Sequence, residues 1–144
     1  MTVIARRKFM KDIGSAAAFC CMGSAVSILA NSCSPVFYAT TSKKGNTLLV
    51  KKAEVVDKDF FMVKVEDQKA PVYITTNENG VFGGLLMLCT HKGCTLRATG
   101  TYLTCPCHES EFSNQGKVLK GPATKDLSIY KVTTDDEHII LILK

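Results

Sequence analysis

The sequence predicts a small all-β domain of about a hundred residues, carried behind an N-terminal segment built for export. Strand-like runs recur at short intervals after residue 46, turn residues separate them, and no amphipathic helical period runs through that stretch. The runs are TLLVKKAEVV, FFMVKV, PVYITT, VFGGLLML, TYLTC, LSIYKV and HIILIL. They are rich in β-branched and aromatic residues, which fit a half-buried pleated surface. Between them stand EDQKAP, NENG with its hairpin dipeptide Asn79-Gly80, ATG and TTDDE. No internal repeat or low-complexity tract is present.

The export segment rests on charge and residue size. Arg6, Arg7, Lys8 and Lys11 precede eighteen uncharged residues, Ile13 to Ala30, of which ten are Ala, Ser or Gly. A basic start and a mildly apolar, small-residue middle mark a signal and not part of a fold. The order R-R-x-F-x-K resembles the twin-arginine signal, which passes proteins across a membrane already folded; the alternative is an ordinary secretory signal with adjacent arginines. LANSC, ending at Cys33, resembles a loose lipoprotein box, so Cys33 is a candidate lipidated N-terminus. The competing expectation is an uncleaved anchor, because eighteen residues fall just short of the ~20 that span a bilayer. Residues 1–33 are thus read as signal or anchor, 34–46 as a tether and 47–144 as the folded domain. Cys20 and Cys21 read as apolar members of the signal.

Composition excludes some partners. Of the net charge of +5, the basic cluster at residues 6–11 against Asp12 supplies +3, and the chain has no tryptophan. Neither a basic face nor an aromatic platform for nucleic acid is indicated. Lys43, Lys44, Lys51 and Lys52 read as a solvated tether base, His138 as a surface group, and Met87 and Leu88 as core.

Four of the seven cysteines and two of the three histidines fall in one window, CTHKGC at 89–94 and CPCH at 105–108. Such clustering points to a metal, a disulfide or both. Thiolate and imidazole donors together suit zinc or iron. The spacing fits a zinc knuckle poorly, since each half offers a Cys and a His plus a second Cys that joins the same tetrahedron with difficulty.

The window resembles the Rieske iron–sulfur motif, C-x-H-x-G-C followed by C-x-C-H. That resemblance implies a small antiparallel β-sandwich with two cluster-binding loops and a [2Fe–2S] cluster. It implies Cys89 and Cys105 as ligands of the inner iron, and His91 and His108 as ligands of the outer one. Cys94 and Cys107 match the pair that forms a loop-to-loop disulfide, which needs an oxidising compartment. Gly116, Gly121 and Pro122 match a third loop that covers the cluster. Ser110 matches a serine whose hydroxyl donates to a cluster sulfide.

Departures from the family pattern bear on subtype. Phe112 stands where high-potential members carry a tyrosine that donates to a ligand sulfur. Glu109 stands where glycine is usual, with Glu111 close by, and carboxylates there oppose added negative charge. Lys92 stands where quinol-oxidising members carry a leucine at the exposed tip. The resemblance implies one-electron transfer, with the exposed histidines exchanging a proton, in a chain that is not an enzyme alone. The expected setting is the periplasmic side of a bacterial membrane, tethered through lipid or the N-terminal anchor. The expected partner is a larger redox subunit or a cytochrome. Three classes compete: a quinol–cytochrome c reductase subunit, the small subunit of an arsenite-oxidase-like exported enzyme, and a structural subunit with an incidental cluster. A dioxygenase ferredoxin is disfavoured, because those lack the Cys94/Cys107 pair.

Overall fold

The computed structural model describes residues 36–76 and 82–143. The twin-arginine pattern, Cys20, Cys21, Cys33 and the Asn79-Gly80 dipeptide lie outside them. Among the described residues no helix is long and apolar enough to cross a membrane.

Three four-stranded antiparallel sheets make up the domain. The first runs β1 (Ser42–Lys44), β2 (Thr47–Lys51), β12 (His138–Ile142), β11 (Val132–Thr134). In the second the order is β10 (Ile129–Tyr130), β5 (Phe82–Leu86), β4 (Val72–Thr76), β3 (Phe60–Val63). The third is β6 (Arg97–Ala98), β7 (Tyr102–Thr104), β8 (Glu111–Ser113), β9 (Val118–Lys120).

Strand periodicity explains why the second sheet is apolar on both faces. Side chains alternate across a strand, and β3 reads FFMV with little polar interruption. Phe61 and Val63, with Val72 and Ile74 of β4, face one core together with Leu48, Val50, Ile139 and Leu141 of the first sheet. Met62, Tyr73 and Leu85 face the opposite core, with Leu103 and Phe112 of the third sheet and the cysteines 89 and 105. The candidate site is thus built over the second core and not on a free loop.

The run TLLVKKAEVV was expected as one strand, but only its first half is. The N–H of Lys52 makes the last rung toward β12, donating to the carbonyl of Glu137 at 2.9 Å, and the pairing stops there. Ala53 and Glu54 then favour a single helical turn, α1 (Lys52–Val55), which buries Val55. The Glu54 carboxylate accepts the N–H of Thr40 at 2.8 Å. The run LSIYKV also divides, because β10 pairs with β5 while β11 pairs with β12 in another sheet.

The segment expected as a tether, 34–46, also contributes to the fold. The Ala39 N–H donates to the Met62 carbonyl and the Met62 N–H to the Phe37 carbonyl, each at 2.9 Å. Ala39 is buried, and β1 pairs with β2 around Gly45. Met87 is fully buried and Leu88 partly so. His138 opens β12, half-buried, with Nδ1 3.3 Å from Asp135.

Candidate metal centre

Two loops rise from the second core. The first leaves β5 at Met87 and returns at Leu96, where the Leu96 N–H donates to the Met87 carbonyl at 2.9 Å. Within it Cys89 N–H donates to the Cys94 carbonyl and Gly93 N–H to the Cys89 carbonyl, both at 2.8 Å. Closing so tight a turn takes the left-handed backbone of Gly93, φ 71°. His91 and Lys92 are left at the apex.

The second loop repeats the device between β7 and β8. Cys105 N–H donates to the Ser110 carbonyl at 2.8 Å, and Glu109 N–H to the Cys105 carbonyl at 3.0 Å. Here Glu109 holds the left-handed position, φ 59°. The family resemblance implies glycine here, and the left-handed backbone is the conformation that would favour one.

The four cysteines separate into two chemical kinds. Cys94 and Cys107 are joined as a disulfide, with Cα atoms 6.5 Å apart, locking one loop to the other. Cys89 and Cys105 are free thiols, both buried. The sulfurs of Cys94, Cys105 and Cys107 lie within 4.8 Å of one another. Two of these are spent in the disulfide, so this triplet is not a ligand set.

Donor chemistry then favours Cys89, Cys105 and the two imidazoles. Desolvation pushes the Cys105 thiol up. The N–H groups of Cys107 and His108, with the Cys89 sulfur, act against it and hold the thiol below its ordinary value. A thiolate is the form that ligates metal. The rings of His91 and His108 lie 4.9 Å apart, nearly perpendicular. Nδ1 of His91 is buried and has no hydrogen-bond partner. An imidazole nitrogen left so is rare unless something else takes its lone pair. Two thiols and two imidazoles are the donor set of a Rieske centre, and these residues fit it.

A third segment packs onto the loops. It carries a cis Gly121–Pro122 bond and buries Ala123, whose N–H donates to the Ser110 hydroxyl at 3.0 Å. Ser110 is fully buried, so its oxygen is occupied while its own hydrogen remains free to donate. Thr90 of the first loop donates its hydroxyl to the Lys125 carbonyl at 2.6 Å. That link was not legible in sequence, where Thr90 is only a spacer between two ligand-type residues. Gly116 sets the approach of this segment, as its N–H donates to Ser113 and its carbonyl accepts from Leu127.

Comparison with known proteins agrees with this geometry. Residues 45–131 match the model of the Rieske [2Fe-2S] domain. The chain belongs to the Rieske family. Its cofactor is a [2Fe–2S] cluster. It is 36% identical over 75 residues to the cytochrome b6-f complex iron-sulfur subunit of Prochlorococcus marinus (strain AS9601), covering 49% of this chain and 42% of the relative. The chloroplastic subunit 1 of Nicotiana tabacum is 33% identical over 76 residues, or 50% and 33% of the two chains. The chain therefore spans less than half the length of these curated relatives. Among solved structures, the plasma membrane Rieske protein PetC3 of Synechocystis PCC 6803 superposes with a TM-score of 0.55 at 32% identity, over 63% of this chain and 93% of that one. The expectation of a structural zinc site has no counterpart in these matches.

Elsewhere around the loops the structure qualifies the electrostatic reading. Lys120 Nζ lies 3.8 Å from a Glu109 carboxylate oxygen and 3.6 Å from one of Glu111. Lys92 and His108 are exposed, His91 half-buried, and Phe112 fully buried.

Proposed function

We propose that this chain is a membrane-tethered one-electron carrier on the periplasmic side of a bacterial membrane, serving a larger redox subunit or cytochrome. The carrying observation is the division of the four window cysteines into two buried free thiols and one loop-to-loop disulfide, beside a buried, unpartnered His91 Nδ1. When bound, the [2Fe–2S] cluster supplies reversible one-electron chemistry. Cys89 and Cys105, buried against the core, would hold one iron, and His91 and His108, nearer the surface, would hold the other. Ser110 would be placed to donate its hydroxyl hydrogen to a cluster sulfur, and the disulfide joins the two loops. Curated relatives named as cytochrome b6-f subunits support service in a membrane complex.

A second reading is the small electron-transfer subunit of an exported, arsenite-oxidase-like enzyme. Lys92 favours it, because an exposed ammonium at the tip is ill suited to an apolar quinol pocket. Native protein tests the main reading. It should hold two irons and two acid-labile sulfides per chain and, once reduced, give the low-average-g EPR signal of mixed Cys/His ligation. Stoichiometric zinc without iron would refute it. Co-purifying subunits from detergent-extracted membranes distinguish a cytochrome complex from an exported oxidoreductase. Intact mass separates a lipidated Cys33 from a retained anchor.

A further inference from the structure

The entry of the chain into the domain carries an unassigned surface. Phe37 and Ala39 are hydrogen-bonded to Met62 of β3, four and six residues in sequence after Cys33, the proposed attachment point. Four peptide units separate Cys33 from Phe37, a reach of at most about 14 Å. If the anchor ends at Ala30 instead, the reach is about 25 Å. A tether of either length would limit how far this end of the domain can move from its attachment point.

The surface there has the chemistry of a headgroup contact. Tyr38 is 46% exposed and Val36 44% exposed. Lys64 places its ammonium 5.3 Å from the Tyr38 ring centroid, and Lys58 does the same for Phe37 at 5.4 Å. Beside Tyr38 runs a groove of about 230 Å³ lined by Lys64, Val65, Gln68, Lys69, Ala70 and Pro71, with no carboxylate among them. In the turn between Lys64 and Lys69, Glu66 is paired with Lys43 at 2.9 Å, and exposed Asp67 lies toward the same lysine. An exposed aromatic ring accompanied by lysines is the composition of a membrane–water interface, apolar body inward and charge at the phosphates.

We infer that the face formed by Tyr38, Lys64 and Lys69 docks on anionic lipid headgroups and holds the domain against the bilayer. This rests on the tethered reading above. Docking would limit the volume that the cluster loops can sweep, so the redox partner must present its acceptor close to the same membrane surface.

The absence of tryptophan from the chain makes the test direct. Full-length, cluster-loaded protein carrying Tyr38→Trp is reconstituted into vesicles of phosphatidylcholine, with or without phosphatidylglycerol. A fraction of the lipid is brominated near the headgroup end of the acyl chains. The introduced indole should be quenched in anionic vesicles and much less in neutral ones. Adding Lys64→Gln and Lys69→Gln should lower the docked-to-free ratio roughly fivefold for each lysine, as should high salt in part. Val36→Trp provides an independent reporter if the first variant loses its cluster absorbance. Protein that floats with anionic vesicles yet shows no quenching overturns the docking and leaves the tether standing. Quenching equal in the parent and the lysine variants also overturns it. Protein that does not float with any vesicle overturns both.

Discussion

Gly116→Ala isolates how the covering segment is held. The residue sits at φ 83°, and an added Cβ would lie 2.8 Å from Cδ2 of Leu85 and 3.4 Å from Cβ of Leu127. Leu85 is itself buried in the core beneath the loops, so its methyl has little room to yield. Two terms add. A left-handed backbone costs a side-chain-bearing residue about 1–2 kcal/mol, and forced repacking of a filled core typically costs ~1–3 kcal/mol. Gly45→Ala provides the control, since Gly45 has φ 58° and nothing within 4 Å of the added Cβ. It should show the backbone term alone. For a domain this size, each kcal/mol moves Tm by about 4–8 °C, so the two variants should differ by roughly 5–20 °C. Thermal scans of cluster-loaded protein, read by circular dichroism and visible absorbance at one scan rate, make the comparison. Equal shifts for the two variants would refute the Leu85 contact as the source of the cost.

Removing the disulfide with Cys94→Ser and Cys107→Ser should destabilise the domain by about 3 kcal/mol on chain-entropy grounds. Cluster loss in denaturant should come earlier, and an unchanged midpoint would contradict the clamping role. Phe112→Tyr should raise the reduction potential by returning a hydroxyl donor toward a ligand sulfur. Protein-film voltammetry reads this, and an unchanged or lowered potential would refute it. Acid should destabilise the fold through three carboxylates held below their ordinary values. Glu66 is held by Lys43, Asp126 by Lys117 and the Val118 N–H, and Asp135 by the N–H groups of His138 and Glu137. Each stabilises the fold above its ordinary value, 4.5 for Glu66 and 3.8 for the two Asp, and loses that contribution as pH falls through its lowered folded value. Urea midpoints should therefore fall from about pH 4.5 downward, less steeply in Asp135→Asn; identical slopes would refute the assignment for Asp135.

The ligand window was legible because cysteine and histidine are rare and their spacing is strict. Long strands were legible through apolar runs, as in HIILIL. The short strands β6, β8 and β9 were not, since two or three residues carry no period and owe their pairing to the loops between them. The turn of helix at Lys52–Val55 escaped notice because one turn is too short to show a helical face. β1 reads SKK, a solvated edge that looks like linker until its pairing with β2 is seen.

Charge around the outer loops illustrates what spacing alone misses. From sequence, Glu109 and Glu111 both oppose reduction. In the structure Lys120 lies between them, and all three are at or near the surface. Two unit charges in water interact by only about 1 kcal/mol even at ~4 Å, and the lysine offsets part of that. A hydrogen bond to a charged group contributes ~1.5–3 kcal/mol. The buried positions therefore dominate. With the cluster bound, Ser110 would keep one donor beside it and Phe112 would lack another, while the acidic rim would adjust the result by a smaller amount. On this reading the hydroxyl missing at Phe112, which the packing holds with no exposure to water, would outweigh the acidic rim in making reduction harder.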